Sequence, residues 1–126
     1  MCSKASDEID RLKEMLNELS QLYWDLVKKI DAKRSELISI EYRLQAMGWP
    51  GITIGAYISA AFFEAFGSRS AREFREYVDA LLKRRQELIT EIERERAEMT
   101  KLADKIYNLR MHLIQLMMQR DPEQGD

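Results

Sequence analysis

Apolar residues recur along this chain at alternating spacings of three and four. The first run is Ile9, Leu12, Leu16, Leu19, Tyr23, Leu26, Ile30, Leu37, Ile40, Leu44 and Met47, with Lys33 as its polar break. The second goes from Phe74 through Val78, Leu81, Leu88, Ile92, Met99, Leu102, Ile106, Leu109 and Leu113 to Leu116, broken by Arg85 and Glu95. Twenty-two of the twenty-five positions on these two lines are apolar. A seven-residue repeat held for that long predicts helices that supercoil through a narrow seam, not ordinary surface helices.

Local signals set the ends. Ser6 ahead of Asp7 and Glu8 predicts an N-cap with acids in the first turn, and Gly48 followed by Trp49-Pro50-Gly51 predicts the stop. Ser70 with Glu73 forms a capping box, and Asp121-Pro122 marks the second stop. The expected organisation is a single domain, 1–126, with helices over about 6–47 and 70–119 and a disordered tail over 121–126. Between the helices, the nineteen residues Trp49 to Gly67 carry one charge, Glu64. Ala56, Ala60, Ala61 and Ala65 favour a short helix over about 52–66, with Tyr57, Phe62, Phe63 and Phe66 supplying bulk.

These elements predict an all-α fold: a long antiparallel coiled-coil helical hairpin with a short apolar helix at its closed end. Placing Met47 opposite Phe74 brings Ile9 opposite Leu113 and Arg85 near Glu36. The basic run Lys28, Lys29, Lys33 and Arg34 then faces Glu91, Glu93, Glu95 and Glu98. Such flanking charges choose partner and register more than they stabilise.

A two-helix seam leaves other apolar residues over. Leu22, Trp24 and Val27 on the first helix, and Tyr107, Met111, Ile114, Met117 and Met118 on the second, widen the apolar face beyond what one neighbour covers. They are the candidate dimer interface, predicting a homodimer that shares this surface or builds a four-helix bundle. Trp49, Tyr57, Phe62, Phe63 and Phe66 are the candidate contacts for a separate protein partner.

Charge adds little to that picture. Twenty basic and twenty-two acidic residues give a net charge of −2, so the whole chain attracts neither nucleic acid nor lipid strongly. A local basic patch, Arg69, Arg72 and Arg75 followed by Lys83, Arg84 and Arg85, makes nucleic-acid binding the alternative function, with Glu73, Glu76 and Asp79 in the same turns against it. The apolar stretch, interrupted by Pro50, Gly51, Gly55 and Glu64, makes a poor membrane span, so membrane activity ranks lower. The single cysteine, Cys2, offers no disulfide framework, and the polar start of the chain reads as neither a secretion signal nor a transit peptide. The expected location is cytoplasmic.

Chemistry-bearing motifs are missing from the sequence. His112 is the only histidine, there is no cysteine pair or Glu-x-x-His, and no glycine-rich phosphate loop or nucleophile elbow occurs. No metal, cofactor or catalytic residue is expected. Trp49-Pro50-Gly51 between two helices resembles the Trp-x-Gly turn of the WXG family of small secreted helical hairpins, over three residues. The chain departs from that family where about eighteen residues follow the turn before the second helix, and where Tyr107 is followed four places on by Met111 instead of an acid. The function expected from the residues is a non-catalytic protein-protein interaction module: an adaptor, an inhibitor, a chaperone-like protein or a viral accessory protein.

Overall fold

The computed structural model of the chain describes residues 4–47, 49 and 69–124, with side chains described over 4, 6–47, 49 and 72–119. Two helices account for nearly all of these: α1, Lys4–Ala46, and α2, Arg69–Gln124. They form a helical hairpin. The expected short helix over 52–66 lies outside the described residues.

Both helices overrun the expected ends. α1 begins two residues before Ser6, which therefore sits inside the first turn with Asp7 rather than capping it. α2 continues to Gln124, past the stop expected near residue 120, so residues 121–124 are helical, not disordered. Pro122 has no N–H to donate to the carbonyl four residues back, but near a helix end this forgoes one backbone bond without stopping the backbone. The end of α1 follows the sequence more closely. The Trp49 N–H donates to the Leu44 carbonyl at 2.9 Å, the six-to-one bond of a Schellman C-cap.

The hairpin packs as two units, both antiparallel pairings of α1 with α2. The central unit is Asp31–Arg94, and the terminal unit combines Met1–Ile30 with Glu95–Asp126. In the central unit Ile40, Leu44, Val78, Leu81 and Leu88 form one buried cluster, flanked by Leu37, Met47, Trp49 and Leu82. Leu44 and Leu88 are fully buried. Among the described residues of the terminal unit only Ile9, Leu12, Ile30, Glu95 and Ile106 are buried, while Leu16, Leu19, Leu26, Leu102, Leu109 and Leu113 are half-buried. The seam therefore closes in the central unit and stays partly open in the terminal one.

Every α1 position on the predicted line is buried or half-buried, and on α2 every one but Phe74, which is 37% exposed. Phe74 is aligned with the last residues of α1, where the opposing helix stops at Ala46.

Candidate interaction surface

The three polar seam residues are accommodated differently. Lys33 Nζ lies 3.4 Å from Glu91 Oε2 within the central unit, so the expected meeting of basic and acidic runs holds there. Arg85 donates from Nε to Glu41 Oε1 at 3.2 Å, and its guanidinium lies 4.7 Å from the centre of the Trp49 ring. Glu95 is buried, the one buried charged residue among the described residues.

The pairing expected of Arg85 with Glu36 is taken instead by Arg84. Its Nε donates to Glu36 Oε2 at 2.7 Å and its Nη2 to Glu36 Oε1 at 3.2 Å, a two-pronged contact, while Nη1 reaches Glu87 at 3.5 Å and Glu91 at 3.9 Å. Arg85 is on the seam and points inward. Arg84 and Glu36 each precede a seam residue, and in an antiparallel pair those flanking positions face each other. The hydrogen bond that Arg84 donates to Glu36 raises the Arg84 pKa above its already high ordinary value. A raised basic group contributes its stability below its unfolded pKa, so any loss lies in strongly alkaline solution and the pair stays charged at neutral pH.

This answers most of the basic patch. Arg84 and Arg85 are engaged by four carboxylates between them, and Arg72 and Arg75 also have partners. Lys83 is exposed, and of Arg69 only the helical backbone is described. Cations already paired with acids, as Arg84 and Arg85 are, release fewer counterions on meeting phosphate than free ones would.

The apolar surplus lies open. Of the eight candidate interface residues, seven are exposed in the terminal unit: Leu22, Trp24, Tyr107, Met111, Ile114, Met117 and Met118; Val27 is half-buried. Met15, on the same unit, is exposed as well. Trp24 stands edge-on to the half-buried Tyr23, ring centres 6.0 Å apart at 86°, which holds the indole against the helix without burying it. A groove runs beside it, with Ser20, Tyr23 and Trp24 on α1 facing Ala103, Tyr107 and Arg110 on α2. Trp24 and Tyr107, 59% and 63% exposed, are its two rims.

Of the partner-contact candidates, Trp49 is half-buried against the central core and stacked under Arg85, so it serves packing. Tyr57, Phe62, Phe63 and Phe66 lie outside the described residues. His112, half-exposed, has its Nε2 3.8 Å from Glu8 Oε1. The sequence reading missed Ile38 and Tyr42, 66% and 74% exposed on the outer side of α1 in the central unit. Their signal was available: two apolar residues four apart that miss the seam line. No described helix is long and apolar enough to cross a membrane, and no group of acids, histidine or cysteine among the described residues is placed to hold a metal.

No protein-family model, curated protein or solved structure matches this chain.

Proposed function

We propose that the chain is a non-catalytic protein-protein interaction module that works through the exposed apolar surface of its terminal unit. One observation carries the reading: eight large apolar side chains stand exposed on that unit, six of them away from its charged grooves, and the unit's own seam is only half-closed. Scattered surface apolar residues are ordinary, but a cluster of this size marks a contact surface. Each such side chain removed from water contributes roughly 1.5 to 3 kcal/mol, against roughly 0.2 to 1 for an exposed ion pair. Binding driven this way tolerates salt.

The test is affinity capture from nuclease-treated lysate at high salt, comparing the wild type with Trp24→Ser/Tyr107→Ser. Both residues are exposed, so the variant keeps its helix content, read by circular dichroism. The expected result is a retained set of proteins that survives high salt and is lost with the double substitution. An unchanged set sinks the proposal. Retention seen only in a parallel capture at low salt without nuclease, together with a mobility shift that weakens steeply with salt, transfers the function to nucleic acid.

A further inference from the structure

The exposed apolar residues of the terminal unit do not form one face. Met15 and Leu22 lie along grooves shared with charged side chains: Lys29, Glu98, Lys101 and Lys105 around Leu22, and Glu18 and Lys105 around Met15. Across the seam the character changes. Tyr107, Met111, Ile114, Met117 and Met118 share one side of α2 by helical position, with Trp24 of α1 across a groove from Tyr107, and four of them, Tyr107, Met111, Ile114 and Met118, follow spacings of four, three and four. The seam line of the same helix segment, Ile106, Leu109, Leu113 and Leu116, has spacings of three, four and three. Two heptad stripes therefore run down α2, one turned inward to α1 and the other outward, its members 63%, 41%, 48% and 65% exposed.

We infer that the outward stripe is a second coiled-coil seam and that its occupant is α2 of a second copy of this chain, joined about a two-fold axis. The inference rests on the interaction reading above and names its partner. Three observations select a second copy. A stripe that repeats every seven residues fits a helix of the same repeat, and α2 itself supplies one. The positions flanking the stripe, Asn108, Arg110, Gln115 and Met117, hold one charge, so the face selects no partner of opposite sign and meets itself without a row of like charges. The area also fits. Six large side chains about half exposed offer on the order of 500 to 600 Å² of apolar surface per copy, most of the roughly 800 Å² each partner of a stable pair buries, with polar neighbours for the rest. A two-fold axis makes such a contact self-complementary.

Sedimentation velocity of the full chain decides it, run over a range of concentrations in low and high salt. The variants are Ile114→Glu and Met118→Lys on the outward stripe and Leu22→Glu on the charged side, each checked for helix content. The wild type and Leu22→Glu are expected to sediment as dimers in both salts. Each stripe variant is expected to raise the dimer dissociation constant at least about 30-fold, the effect of losing a central contact. A monomeric wild type overturns the inference, as does dissociation by Leu22→Glu equal to that by the stripe variants. A monomer whose capture of other proteins still depends on Trp24 and Tyr107 leaves the interaction reading standing, so the two fail separately.

Discussion

Arg85 occupies a seam position that a leucine would ordinarily fill, and it holds the place with two contacts of different kinds. Its Nε bonds Glu41 at 3.2 Å while the guanidinium lies 4.7 Å from the Trp49 ring centre. An ammonium group makes both contacts less well: lysine has no N–H at the Nε place on its stem and no flat face to lay on the indole. Arg85→Lys is therefore expected to lower the stability of the hairpin by about 1 kcal/mol, the combined scale of a charged hydrogen bond and a partly exposed cation-π contact. A urea titration reads this as a lower midpoint at unchanged slope. An unchanged midpoint would mean the two contacts add nothing. The charge at position 85 was plain from the sequence, and its partner was misassigned to Glu36. The reason is geometric: spacing along one helix tells which residues lie on the seam, but a partner on the opposite helix depends on side-chain direction. Arg84, one residue off the line, points outward to Glu36.

At the scale of the helix, the seam was the most legible feature of the chain, because burial follows the three-four spacing through nearly all of α1 and α2. The depth of that burial was not legible. Leu88 and Leu109 look alike on the line, yet Leu88 is fully buried within the central cluster and Leu109 is half-buried in the terminal unit. Periodicity gives direction, whereas depth depends on how many neighbours close over the side chain. Leu88→Ala is expected to cost about 3 kcal/mol, by lost transfer energy and the cavity left behind, and Leu109→Ala about half as much. Measuring both in the Ile114→Glu background by urea unfolding keeps any second copy out of the comparison. Equal costs would contradict the difference in closure between the two units.

For the whole molecule, what decides behaviour is how the terminal unit is completed, since half-buried seam leucines and exposed aromatic, methionine and isoleucine side chains occur together in it. If a second copy completes it, folding and association are linked, and the thermal midpoint must depend on protein concentration. A tenfold rise in concentration adds about 1.4 kcal/mol per pair of chains, about 0.7 for each, which for a chain of this size is roughly 3 °C. The midpoint of the wild type is expected to climb by about that much per decade, and that of Ile114→Glu to stay level. Salt separates the forces involved. Twenty basic and twenty-two acidic residues nearly cancel, and the ion pairs in the central unit, such as Arg84 with Glu36, are partly exposed and screened by salt. Apolar contact is not screened, and salting-out anions strengthen it. Differential scanning calorimetry in sulfate should therefore keep or steepen the concentration dependence while weakening what the ion pairs contribute. A wild-type midpoint that ignores concentration, or a dependence that fades as sulfate is added, would show that the exposed stripe on α2 does not hold two copies together by apolar contact.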